Sequence, residues 1–340
     1  MEFRQDISCS IKKSINRRFA RGKVLSKIYH IMSFMHKTAP FGAYTLHTLE
    51  DSTGDNYLAF VPGFGSCVLE LRLGGTSLLD GYKTAVEMEA NRWAKNTVLF
   101  PFPNRLSDGA YHWDGNAYQF PVNEPISGTA LHGFGQDKPM QAYQFSVRDA
   151  EATAECRYSD PGEQDYYPFP FSFFIHFTLR PGALDIAMRF RNDGTADLPV
   201  GLGWHPYFTL ASRIDDMSMQ MPDTDLVGVD ERMIPTGKKY PYREFASLRR
   251  VGATVLDNCF ALPGEEGRME IRLEGPNGKM RYWQETGPGK CNWVQVFTPP
   301  DRQAIAIEPM TCSPDAFNNG EGLARLKPGE ELVARFGLSV

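Results

Sequence analysis

The sequence predicts an all-β fold, a large antiparallel β-sandwich, from three observations. Short runs with period-two alternation of apolar residues recur from Tyr44 onward. Turn pairs punctuate them, as at Asp108-Gly109, Asp114-Gly115 and Pro276-Asn277-Gly278. Long amphipathic helical patterns are absent after residue 40, and 23 Phe with 14 Tyr suit strands better than helices. The strands are too many for a small barrel. No repeat or low-complexity linker divides the chain, so a single domain over residues 41–340 is expected.

Residues 1–40 are expected to be a basic tail outside that fold. Residues 1–37 carry nine Lys or Arg against Glu2 and Asp6, a charge of +7 that leaves −12 for the remainder. The apolar stretch from Ile28 to Met35 is too short and too polar for a membrane span, and it makes a poor secretory segment. A transit peptide, a nucleic-acid arm and an upstream start preceding Met32 or Met35 all fit this composition. Strands follow at 44–49, 56–61 and 67–73, then a short helix at Thr84 to Lys95. Further strands are expected at 143–148 and 154–158. The clearest hairpin runs from Phe173 to Phe190, with Pro181-Gly182 suited to a type II turn. Its polar arm places His176 at the surface, and His112, between two Asp-Gly turns, reads as hairpin surface too. The remaining strands are 198–204, 269–273, 279–283, 292–298, 303–308 and 331–338.

Ionisable residues inside apolar context mark the candidate site. The run Gln303-Ala304-Ile305-Ala306-Ile307 reads as a buried strand ending in Glu308, and Pro309 should stop it there. A carboxylate at the mouth of a buried strand is paired or has a raised pKa, which suits a general base. Asn104 and Arg105 follow the rigid run Phe100-Pro101-Phe102-Pro103, and the planar Arg fork could clamp hydroxyls. His132 sits in Ala130-Leu131-His132-Gly133, and His205 in Trp204-His205-Pro206-Tyr207. For each, a surface or structural role competes with a functional one.

Other chemistries lack their signatures. There is no H-E-x-x-H, P-loop, G-x-S-x-G elbow or dinucleotide fingerprint. A two-histidine, one-carboxylate metal site from His132, His205 and Glu308 stays open. The net charge of −5 does not favour a nucleic-acid partner. Six scattered cysteines without framework spacing argue for a reducing, cytoplasmic setting.

Together these segments resemble the aldose 1-epimerase (galactose mutarotase) family over roughly residues 43–340. The matches are Phe102-Pro103-Asn104-Arg105-Leu106, Asn123-Glu124-Pro125, Ala130-Leu131-His132-Gly133, Trp204-His205-Pro206-Tyr207-Phe208, Asp257-Asn258-Cys259-Phe260 and Ala306-Ile307-Glu308-Pro309-Met310-Thr311, with Pro314-Asp315-Ala316-Phe317-Asn318. The resemblance implies a galactose mutarotase-like supersandwich that interconverts the α and β anomers of a free hexose such as galactose or glucose. It implies Glu308 as general base and His205 as general acid. Asn104, Arg105, His132, Tyr207 and Asp257 would bind the sugar, without cofactor or metal. Near neutrality a carboxylate base and a partly protonated histidine are expected to coexist. The partner is then a small sugar, with no nucleic acid and no membrane, on a monomer or homodimer. Phe134-Gly135-Gln136-Asp137 departs from the typical pattern, which leaves open a hexose-6-phosphate epimerase drawing on Arg92, Lys95 or Lys138. A non-catalytic carbohydrate-binding sandwich is the third reading.

Overall fold

Period-two patterns become strands nearly wherever the sequence carries them. In the computed structural model, which describes residues 33–340, the expected hairpin forms as Phe171–Arg180 and Ala183–Asn192. Gly182 turns it at φ +70°. These two strands are central to a nine-stranded sheet that also holds Ala152–Asp160, Glu331–Ser339, Gly278–Thr286 and Gly267–Gly275. His112 is exposed in the hairpin Ala110–Trp113/Asn116–Gln119, and His176 is half-buried beside Glu155.

An eight-stranded sheet faces the first. Its order runs Pro235–Tyr242, Thr224–Val229, Asp257–Ala261, Trp293–Phe297, Ile305–Met310, Gly203–Trp204 and Val98–Leu99, with Tyr207–Phe208 also paired to Ile305–Met310. Between the two sheets lies the main core, which includes Phe173, Phe177, Ile186 and Leu338 from one and Val296, Ile305 and Ile307 from the other. Trp204 stacks on Phe336 across the gap at 5.4 Å, joining the two layers. A third, five-stranded sheet begins the domain.

Two boundaries differ from expectation. Phe34–Phe41 pairs along its whole length with Tyr44–Asp51, and Phe34 is buried. The fold therefore begins before residue 41, because this segment completes a hairpin edge that Tyr44–Asp51 would otherwise leave open. The rest of the basic stretch, residues 1–32, lies outside the described residues. The strand that carries Glu308 also runs on through Pro309 to Met310, which pairs with Trp293 on one side and Gly203 on the other. The missing proline N–H costs one ladder bond and does not end the pairing.

The helix is shorter than the 84–95 pattern. It spans Ala85–Ala90, capped by the Thr84 side chain, and Asn91 ends it in the left-handed region. Trp93, Ala94 and Asn96 also take positive φ. The five described cysteines are all buried free thiols. Among the described residues no helix is long and apolar enough to cross a membrane.

Candidate active site

Four neighbouring strand positions of the eight-stranded sheet present two rows of side chains on one face. Phe297 is paired with Asp257 and with Ala306, and Ala306 with Tyr207. Gln295 is paired with Cys259 and Glu308. The register that sets Gly203 against Met310 and Tyr207 against Ala306 brings His205 opposite Glu308. Directly opposed residues share a face, so Tyr207, Phe297 and Asp257 form one row, and His205, Glu308 and Gln295 the next. The alternate residues Ile305, Ile307, Val294 and Val296 go to the core. The sequence run around Glu308 reads as continuously apolar because both of its faces are covered.

A cavity of about 600 Å³ opens on this face. It is lined by Asn104, Arg105, His132, His205, Tyr207, Asp257 and Glu308, so all seven expected residues meet there. Trp93, Val255, Phe297 and Pro300 give it an apolar flank. The roughly hundred residues between His205 and Glu308 are bridged by strand pairing.

Glu308 is 1% exposed and His205 6%. His205 Nε2 stands 3.3 Å from Glu308 Oε1, an ion-pair spacing. Burial nonetheless pushes the Glu308 carboxyl well above its usual range and lowers His205 to about 3. Loss of hydration disfavours both charges and so favours a protonated Glu308 beside a neutral imidazole. The expected partly protonated His205 is therefore not the resting state. Glu308 Oε2, His205 Nδ1 and the Tyr207 hydroxyl are buried with no hydrogen-bond partner among the described residues. Unpartnered buried polar atoms are costly, and a polar ligand would satisfy them. Tyr207 stacks flat on His205 at 5.0 Å and holds its ring plane.

Asn96 holds the His205 segment in place. Its side-chain oxygen accepts from the Tyr207 N–H at 2.9 Å, and its own N–H donates to the His205 carbonyl at 2.9 Å. The Trp204 indole donates to the Asn96 carbonyl at 3.2 Å.

Asn104 and His132 form a second unit. Arg105–Ser107 pairs with Thr129–Leu131, which brings the two segments together. Both residues take left-handed φ, +60° and +65°. The His132 N–H donates to the Asn104 carbonyl at 2.8 Å, and the Asn104 N–H donates to His132 Nδ1 at 3.1 Å. Nδ1 is thus an acceptor, which places the ring proton on Nε2 as a donor. Burial keeps His132 neutral, well below its usual range. Gly133 is required, since a Cβ there would meet the Phe100 carbonyl oxygen at 2.3 Å. Asp315 anchors the Arg105 strand by accepting from the Ser107 N–H at 2.9 Å, which gives the 314–318 motif a structural purpose. Asp257 begins a strand and accepts from Gln295 Nε2 at 2.7 Å, with its carboxyl raised mainly by burial.

The family model for aldose 1-epimerase matches residues 47–339. The chain belongs to the aldose 1-epimerase family. Among curated relatives it is 30% identical over 293 residues to the uncharacterized protein YihR of Escherichia coli K12, covering 83% of this chain and 90% of YihR. It is 28% identical over 276 residues to YphB of the same organism, covering 77% of this chain and 88% of YphB. In fold it is similar to a galactose mutarotase-like protein from Clostridium acetobutylicum, with TM-score 0.80 and 19% identity over 90% of this chain and 98% of that one. It is also similar to galactose 1-epimerase from Lactobacillus acidophilus, with TM-score 0.76 and 15% identity over 91% and 98%.

In this aldose 1-epimerase family member the site also contains residues that sequence reasoning passed over. Gln295 is a polar residue inside Trp293-Val294-Gln295-Val296-Phe297, the same signal that singled out Glu308. Glu124 lay within a matched motif but carried no assigned role. Asn96 and Trp93 owe their positions to long-range contacts and to left-handed backbone, which no local pattern announces. Among the described residues no group of three or more His, Cys, Asp or Glu is arranged to hold a metal ion.

Proposed function

We propose that this family member is a mutarotase, interconverting the α and β anomers of a free hexose by acid–base ring opening and closure. The observation that carries this reading is the facing pair of Glu308 and His205, buried in a cavity with Glu308 Oε2 unpartnered among the described residues. Ring opening removes the proton from the C1 hydroxyl, delivers one to the ring oxygen and breaks the C1–O5 bond. Rotation about C1–C2 exposes the other aldehyde face, and closure reverses both transfers. Each group therefore gives and takes one proton per cycle, and a pair holding a single proton between them suffices.

Arg105 favours the ionised form of Glu308, although burial outweighs it. Sugar hydroxyls donating to Glu308 would add to Arg105 and draw the proton across to His205. Glu308 then accepts from the C1 hydroxyl while His205 donates to the ring oxygen. His132 Nε2–H, Asn104, Arg105 and Asp257 would orient the ring. Each placed proton-transfer group contributes roughly 10²–10⁴-fold. The five described cysteines, all reduced and buried, support action in a reducing compartment such as the cytoplasm.

A phosphorylated hexose finds less support. Arg105 is the one Lys or Arg among the described residues lining the cavity, while Lys95 is tied to Asp80 and Lys138 lies over the Phe134 ring. A purely binding role would not call for a buried acid–base pair.

Polarimetry of freshly dissolved α-glucose and α-galactose tests the proposal. Catalysed relaxation is expected for the unaltered protein, with losses of at least about 10²-fold in Glu308→Gln and His205→Asn. An unchanged rate in Glu308→Gln would remove the base assignment, and catalysis of glucose 6-phosphate alone would move the reading to the phosphate epimerase.

A further inference from the structure

Glu124 lines the cavity but stands apart from the proton-transfer pair. Its carboxylate grips Arg105 with both oxygens, Oε2 accepting from Nε and Oε1 from Nη2, each at 2.9 Å. Ser127 Oγ donates to Oε2 at 2.6 Å and Thr129 Oγ1 at 2.9 Å. The turn bearing Ser127 is held in turn by Arg232, which donates to the Ser127 carbonyl at 2.7 Å and the Gly128 carbonyl at 3.1 Å. Burial by itself would raise the Glu124 pKa, but the hydrogen bonds from Arg105 and Ser127 outweigh it and keep the group below its usual range. Glu124 is therefore a fixed negative charge at neutral pH.

That charge decides the electrostatics of the cavity. Arg105 is the only Lys or Arg among the described lining residues, and its side chain is 12% exposed. Left unbalanced in so dry a setting, a guanidinium would attract anionic ligands strongly. Bidentate pairing cancels its net charge while leaving its other N–H groups free to donate. Asp257 and Glu308 add further acid groups to the same lining.

Resting on the mutarotase reading, we propose that Glu124 is a positioning and specificity residue that fixes the Arg105 fork and cancels its charge, so that the cavity selects uncharged aldoses over anionic ones.

The test compares D-glucose with D-glucuronate, which share a ring and differ in charge at C6, by the ratio of their kcat/KM values in polarimetry. In Glu124→Gln the glucuronate-to-glucose ratio should rise about tenfold or more, and the rise should shrink as salt is added. Glu124→Asp keeps the charge and should keep the original ratio. Arg105→Gln leaves Glu124 unbalanced and should move the ratio the opposite way. A merely structural role would lower both sugars alike and leave the ratio unchanged in Glu124→Gln, which overturns the proposal. Should Glu124→Gln fail to fold, Arg105→Gln decides it, and a ratio that stays level or rises there overturns it. Should the unaltered protein catalyse neither sugar, the mutarotase reading has failed by itself. The same shifts, with the same signs, are then read from the two affinities by calorimetry.

Discussion

Replacing Glu308 by glutamine should abolish activity while making the protein more stable, and the gain should grow with pH. The carboxyl is 1% exposed, Oε2 has no partner among the described residues, and its nearest cation-capable neighbour, His205, is itself neutral. Its folded pKa lies well above the ordinary 4.5. Between those two values the unfolded chain has released a proton that the folded chain retains. Stability from this group therefore falls as pH rises, by up to about 1.4 kcal/mol per pH unit.

His205 acts in the opposite sense over a different range. Its folded pKa is about 3 against an ordinary 6.5, so the unfolded chain binds the extra proton between them. Its contribution to stability rises with pH over that range and is level above 6.5. Both proteins carry His205, so its contribution cancels in their difference and the Glu308 effect is read from about pH 4.5 upward. From there upward the unaltered protein should lose stability relative to Glu308→Gln, whose amide does not titrate, and the loss should level off once the folded carboxyl ionises. Urea unfolding followed by tryptophan fluorescence over a pH series starting at about 4.5 measures the gap, provided the slope m is shared. A gap that stays constant across that series would refute the burial argument.

Two further outcomes follow from the same geometry. kcat/KM should carry no His205 limb near pH 6.5, because burial leaves His205 to take up its proton only near pH 3; a limb with that midpoint in a stopped-flow pH profile would show that His205 titrates as an ordinary histidine. Asn96→Ala should cost about 2–4 kcal/mol in thermal unfolding, through the lost Tyr207 bond and the loss of asparagine's tolerance of left-handed backbone at φ +56°, and Asn96→Gly should cost less because glycine accepts that conformation.

The architecture was legible where period-two patterns were strong, as in Phe171–Arg180 and Ala183–Asn192. The site was legible where a polar group interrupted an apolar strand, as Glu308 does. What sequence reasoning missed depends on contacts distant in the chain. The helix pattern continued to Lys95, but Asn91 leaves it early, with its side chain donating to Gln136 at 2.7 Å. Pro309 looked like a terminator, yet pairing on both sides carried the strand past it. The ordinary histidine pKa failed for His205 because burial depth is a property of the assembled sheets. Phe34–Phe41 escaped notice because its neighbours in sequence are basic and its hairpin partner alone makes it a strand.

The two rows of side chains on one sheet face separate what must stay constant from what is free to vary. His205, Glu308 and Gln295 lie side by side in one row across neighbouring segments of the sheet, where a single inserted residue would send the side chains beyond it to the opposite face. Trp93, Val255 and Pro300 reach the same cavity from connecting segments, which tolerate changes of length and composition far better. On the mutarotase reading, proton transfer is thus protected by register, and the choice of sugar can drift through the loops at little risk to the chemistry.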